Sequence, residues 1–237
     1  MKTKSALLAS VFFSLFVISC GHGPSASANG RPAEPGAHPK GPNTKNARGL
    51  TPLMSAAREG DVSAIRELLA QGADPNISDT AVNGWTALMH AIHRGQDAAA
   101  LALIEAGANV NARANHGTTA LIMAAGNGNA RVVQALLSSG ADPYAEGGGG
   151  VTALSMAVSG GALSDIDRPL LGGCYEPVVR LLLEKAPDLT LKHNFAGRSA
   201  LWFARLKLMM AEDDERGCRE VVSLIEKQEQ KLAARAR

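Results

Sequence analysis

The sequence predicts an all-α solenoid of about five helix-turn-helix units joined by β-turn or hairpin tips. Three observations carry the prediction. A five-residue phrase recurs along the chain at spacings of 35, 33, 33 and 47 residues. Each recurrence is followed by a small-residue helical stretch, a turn and a second apolar helical stretch. Finally, 46% of the 237 residues are hydrophobic but only 4% are aromatic, so the core must be built from Ala, Leu, Val, Ile and Met. Side chains that small suit thin, closely packed helices. The formal net charge of +2 is too even for a protein working through a strong basic field, which argues against nucleic acid as a partner.

Residues 1–19 read as an export signal. Lys2 and Lys4 precede an uncharged run from Ser5 to Cys20 that shows no polar face and is short for a bilayer span. Its end, Val17-Ile18-Ser19-Cys20, resembles the lipobox of bacterial lipoproteins. That resemblance implies diacylglycerol linkage at Cys20, a palmitate-bearing mature terminus and a membrane anchor. Gly21 stands where the family's inner-membrane retention signal has Asp, so outer-membrane sorting with the body facing the periplasm is expected. Each buried acyl methylene contributes about 0.8 kcal/mol, so several chains hold where one does not. Loss of residues 1–19 removes two lysines and leaves 22 basic against 22 acidic side chains, so adhesion to anionic lipid is not an expected role. Residues 20–47 hold the lipidated cysteine and a Gly/Pro/Ala/Asn-rich stretch without apolar period, read as a disordered tether of roughly 30 Å. His22 and His38 within it are too far apart to suggest a metal tract.

The repeat begins at Gly49-Leu50-Thr51-Pro52-Leu53. Its echoes are Gly84-Trp85-Thr86-Ala87-Leu88, Gly117-Thr118-Thr119-Ala120-Leu121, Gly150-Val151-Thr152-Ala153-Leu154 and Gly197-Arg198-Ser199-Ala200-Leu201. Thr51, Thr86, Thr119, Thr152 and Ser199 are N-cap residues, with Pro52 at a first helical position where its missing donor costs nothing. Gly60, Gly95 and Gly128 suit the left-handed turn that ends a first helix. Asp61 and Asn129 then cap the second, whose stripe runs Val62, Ile65, Leu68, Leu69 in the first unit and Val132, Val133, Leu136, Leu137 in the third. Gly72, Gly107 and Gly140 close that helix, and Asp74, Asn109 and Asp142 open the next tip.

This content at a spacing near 33 resembles the ankyrin repeat. The resemblance covers residue 48 to about 230, in units near 48–82, 83–115, 116–149, 150–196 and 197–237. The fifth departs from the pattern: Leu208 replaces the helix-ending glycine, and no Gly-Ala-Asp follows Leu224-Ile225. Its polar run Glu226–Lys231 suits a terminal cap.

Units four and five also carry long connections between their helices, Ala162–Gly173 and Ala211–Arg216, expected to project as loops. Both end alike, in Gly173-Cys174-Tyr175-Glu176 and Gly217-Cys218-Arg219-Glu220. An even cysteine pair in an oxidising compartment suggests one disulfide, Cys174–Cys218, formed where flexible loop ends meet. A thiol-redox enzyme acting through this pair is the alternative reading, although the chain has no Cys-x-x-Cys motif.

Elsewhere no catalytic constellation is legible, and no cofactor is implied. His90 and His93 have ligand spacing, but nothing completes a metal site, so they read as solvated or core-edge histidines. Ser155 and Ser159 lack a nucleophile elbow, Gly147–Gly150 reads as a flexible tip, and Asp213-Asp214 as solvated charge. The ankyrin resemblance instead implies a monomeric, non-enzymatic module that grips an envelope or periplasmic protein through hairpin tips and the concave side of the first helices. Carried over by position, the protein-binding residues are Arg58, Glu59, Asn83, Trp85, His93, Arg94, Asn115, His116, Thr118 and Asn127, with Leu50, Gly126, Val151 and Ser159 beside them. Trp85 with Arg94 has the composition of a binding hot spot.

Overall fold

The computed structural model describes residues 41–80, 83–159, 174–191, 199–210 and 215–236, all within the compact unit His38–Arg237. The export signal, Cys20, most of the tether, the unit-four connection 160–173 and Asp213-Asp214 lie outside the described residues.

Helices come in pairs. Inner helices are α1 (Pro52–Glu59), α3 (Ala87–His93), α5 (Ala120–Gly126), α7 (Ala153–Ser159) and α9 (Ala200–Met210). Outer helices are α2 (Val62–Ala70), α4 (Asp97–Glu105), α6 (Ala130–Ser138), α8 (Glu176–Lys185) and α10 (Glu215–Arg235). Each inner helix packs on the next inner one, and outer helices α2 to α8 do the same, which gives a two-layered helical solenoid.

Every inner helix starts as the sequence dictates. The hydroxyls of Thr51, Thr86, Thr119, Thr152 and Ser199 each accept from the backbone N–H three residues on, at 3.2–3.4 Å. Ser155 answers Thr152 reciprocally, its Oγ accepting from the Thr152 N–H at 2.9 Å. A capping box is its local role. Asp61 and Asn129 cap α2 and α6 as predicted, whereas Gln96 and Tyr175 make no side-chain cap on α4 and α8.

The core is a set of rows. Ala91, Ala124, Ala157 and Ala204 hold one position in successive units, each with no exposed surface, and Ala56 begins the row. Alanine there lets inner helices approach closely. The α6 stripe is fully buried, as predicted. On α2 only Ile65 is; Leu68 and Leu69 are half-buried, because among the described residues α2 is the first outer helix and has one outer neighbour, α4.

Two boundaries differ from the sequence reading. Residues 41–47, assigned to the tether, belong to the first hairpin tip. The Asn43 Oδ1 accepts from the Asp74 N–H at 2.8 Å and its amide donates to the Gly72 carbonyl at 3.3 Å, while Asn46 bonds the backbone of Arg48 and Leu50. No Gly-Ala-Asp precedes this tip, so its sequence lacks the usual marker. In unit five, Glu215 to Cys218 are already helical, which shortens the connection expected over 211–216. With Leu208 in place of the helix-ending glycine, α9 runs 11 residues, against 7 in α3.

Gly128 tests the tightness of the turns. Its φ is +70°, and a Cβ placed there would lie 2.6 Å from the Tyr175 ring, whereas Gly107, at φ +82°, has open space. Gly107→Ala should therefore cost about 1–2 kcal/mol, the backbone penalty alone. Gly128→Ala should cost measurably more in urea titrations, because the Tyr175 ring must also move.

Candidate protein-binding surface

Leu50, Trp85, Thr118 and Val151 occupy one position, immediately after the tip glycine of each unit. The tips touch: the Asn115 N–H donates to the Asn83 carbonyl at 2.9 Å, and the Arg113 guanidinium donates to the Glu146 carbonyl. The four-glycine tip is an ordered turn, not a slack one, closed by a Glu146–Thr152 bridge and by the Gly147 N–H on the Val151 carbonyl at 2.8 Å. Along these tips runs a pocket of about 310 Å³. Asn83, Trp85, His93, His116 and Thr118 line it together with Ala114, Ile122, Met123, Gly148, Val151 and Met156. The indole of Trp85 is half-buried, stacked at a tilt on His93 with centroids 4.6 Å apart and edge-on to His90 at 5.4 Å.

His90 is not solvated, nor at the core edge. It is 3% exposed, and its Nε2 lies 2.8 Å from Oδ2 of Asp79, which is also buried. Burial pushes the imidazole below its ordinary value of 6.5, with Arg58 and His93 adding to the effect, and outweighs the pull of Asp79. The contact is thus a neutral imidazole N–H donating to a carboxylate. Sequence reasoning misses Asp79. A signal exists: His90 shares its unit position with Ser55, Met123 and Met156, and a histidine in such a row needs a partner.

Of the ten residues assigned to binding, five line the pocket. Arg94, Glu59 and Asn115 are exposed outside its lining and Arg58 is half-buried. Asn127 is exposed too, but its amide donates to the Ile92 carbonyl at 2.9 Å, a stitch between units. Leu50 and Gly126, placed on the surface by position, are buried, because both pack into the core between units. Val151 and Ser159 are half-exposed.

Charge divides between the two layers. In the described part of the first four units, tips and inner helices carry Lys45, Arg48, Arg58, Arg94 and Arg113 against exposed Glu59, Asp74, Asp142 and Glu146 and the buried Asp79. Carboxylates dominate the outer helices and the turns that close them, from Asp61 and Glu67 to Glu184 and Asp188. The tip side is thus close to balanced, and the outer layer is the more acidic of the two.

Cys174 and Cys218 form a disulfide, with Cα atoms 4.8 Å apart. The route differs from two meeting loops. Cys174 precedes α8 with φ at +56°, held by its N–H on the Val158 carbonyl, while Cys218 sits in the first turn of α10. Gly217 permits the approach: a Cβ there would stand 3.2 Å from the Cys174 carbonyl oxygen. Both sulfur-bearing residues are buried. Among the described residues no group of three or more His, Cys, Asp or Glu could hold a metal, and no helix is long and apolar enough to cross a membrane.

Paired helices, capped threonines and touching tips define a stacked-repeat protein. The family model for ankyrin repeats matches residues 33–114 and 53–146, in three copies, and the fold is an ankyrin-repeat solenoid. The chain is also similar to the ankyrin repeat and SAM domain-containing protein 6 of Rattus norvegicus, 41% identical over 71 residues, and of Mus musculus, 39% identical over 71 residues. Those residues make up 30% of this chain and 8% of either relative. Ankyrin repeats are protein-interaction modules, and the described residues show no catalytic constellation.

Two measurements check this chemistry. Because the folded His90 binds its proton less readily than the unfolded residue, its contribution is complete above pH 6.5 and is lost as pH falls below that value. Melting temperature should decline from pH 6.5 downward, and His90→Gln, which keeps an N–H donor for Asp79, should flatten that decline. Cys174→Ser with Cys218→Ser should lower unfolding free energy by about 3–4 kcal/mol, the value for a loop of this length, in denaturant titrations.

Proposed function

We propose that this chain is a non-enzymatic protein-binding module tethered to the bacterial cell envelope through an acylated Cys20. The solenoid faces the periplasm and grips one envelope or periplasmic protein, as a monomer, through its tips and inner helices. Such a module acts either as a scaffold for an envelope enzyme or as an immunity-type inhibitor that neutralises a toxic partner. The observation that carries the reading is the pocket beside Trp85, lined by three successive units of a fold whose family works by binding. Tryptophan is among the residue types where alanine scans find most binding energy, and Trp85 lines this pocket half-exposed. The N-terminal lipobox pattern supports the tether, and the linker after it gives the solenoid reach from the membrane. The thiol-redox alternative is disfavoured by the cystine itself, which is buried at both ends rather than presented to a substrate.

Affinity capture from envelopes tests the grip. Trp85→Ala combined with Arg94→Ala should weaken capture of the partner by at least about 100-fold, typical of losing a hot-spot cluster. If every captured protein is unaffected, the recognition surface lies elsewhere. Cys20→Ala should abolish palmitate labelling and release the protein from the membrane fraction.

A further inference from the structure

Asparagine followed by glycine is chemically labile, because no Cβ on the second residue shields its nitrogen from the asparagine side chain. Three such pairs occur in the chain. Asn29-Gly30 lies outside the described residues, and the fold treats the other two differently. In Asn127-Gly128 both reacting groups are occupied. The Asn127 amide donates to the Ile92 carbonyl at 2.9 Å, and the Gly128 N–H donates to the Ala125 carbonyl at 3.1 Å. In Asn83-Gly84 neither is: among the described residues nothing bonds the Asn83 side chain or the Gly84 N–H. The tip glycines at the same position in other units do use that donor. Gly49 gives it to Asn46, Gly117 to Ala114 and Gly150 to Gly147, at 2.8–3.1 Å. Asn83 is exposed to water although Gly84 is buried, and its backbone carbonyl accepts the Asn115 N–H at 2.9 Å. Packing fixes the second residue as glycine. Its φ is +65°, and a Cβ there would stand 2.4 Å from the Asn115 Oδ1.

We propose that Asn83 is a site of spontaneous deamidation, left open by the fold that protects Asn127. The Gly84 nitrogen, having given its proton to hydroxide, attacks Cγ of Asn83. A bond forms between that nitrogen and Cγ, the bond from Cγ to the side-chain nitrogen breaks, and ammonia leaves after taking a proton from water. Water then opens the five-membered succinimide. Opening at the side-chain carbonyl gives an aspartate; opening at the main-chain carbonyl gives an isoaspartate, with an extra methylene in the backbone. The net reaction consumes a water, releases an ammonia and adds a negative charge, with nothing oxidised or reduced. That charge falls in the pocket beside Trp85. Asn83 lines it with His93 and His116, and no carboxylate, Lys or Arg is part of that lining. A neutral group that donates and accepts becomes one that only accepts, so the chemistry the pocket offers changes as the protein ages. The isoaspartate form also displaces the carbonyl that joins this tip to the next. The inference stands apart from the binding-module reading and needs no partner.

The test ages full-length folded protein at mildly alkaline pH. Tryptic peptides 67–94 and 114–131, which carry the two pairs separately, are then followed by mass spectrometry against an unaged sample. Conversion at Asn83 should run at least about tenfold faster than at Asn127, whose reacting groups must first give up two hydrogen bonds. In urea-unfolded protein the two rates should converge, because the fold no longer distinguishes them. Isoaspartyl methyltransferase should label peptide 67–94 of aged wild type. It should not label that peptide in Asn83→Gln, which keeps the amide but is one methylene too long for the five-membered ring. The proposal is overturned if Asn83 stays intact in folded protein while converting in urea, or if the two sites convert equally in folded protein. A rate ratio that survives unfolding overturns it as well, since local sequence rather than the fold would then set the difference.

Discussion

Inner helices of seven or eight residues are too short to persist alone in water. Their stability comes from neighbours on both sides, and the alanine row sets how near those neighbours can come. Ala91, Ala124, Ala157 and Ala204 are fully buried because each meets the inner helix of an adjoining unit. A larger residue in this row would push two units apart, and every tip contact would shift with them. The pocket beside Trp85 depends on that spacing, since its lining comes from three successive units.

A second row fixes the far side of each tip. Asn43, Asn76 and Asn111 hold equivalent positions, and each Oδ1 accepts from the backbone N–H that opens the next tip, at 2.7–2.8 Å. Asn43 and Asn111 also donate to the carbonyls of Gly72 and Gly140. Each asparagine thereby satisfies groups left over by the neighbouring helix end. Asparagine suits the task because it donates and accepts from one planar group.

Much of the fold is legible because its signals are local. A threonine N-cap, a left-handed glycine and an apolar stripe each declare themselves within ten residues. Contacts between units are not, since residues about 33 apart show no mutual pattern until the stack is assembled. That is why Asn43 reads as tether in the sequence and why the Asn127 bond to the Ile92 carbonyl is not foreseen there. The buried Asp79–His90 pair spans only 11 residues, but it joins a tip to an inner helix and belongs to neither element's own pattern. Of the residues lining the pocket, Trp85 and the polar tip residues stand out by their place in the repeat, whereas Met123, Met156 and Ile122 read as ordinary core.

The cystine occurs where these devices stop. At the position of Asn43, Asn76 and Asn111 the fourth tip has Tyr144, whose hydroxyl reaches Asp188 in the segment after α8. No Gly-Ala-Asp turn follows α8, and the recurrence lengthens to 47 residues. The asparagine tie of the earlier tips is replaced here, and among the described residues the helix pair beyond packs on the preceding unit. Here α7 supplies the Val158 carbonyl that holds Cys174, and Gly217 lets α10 come close enough for Cys218 to complete the bond. A covalent link restrains the unfolded chain irrespective of helix register, so it tolerates an insertion that a hydrogen-bond ladder of fixed period does not. The last unit is thereby joined to the stack at its most irregular junction, and the inner layer continues through α9 without a break.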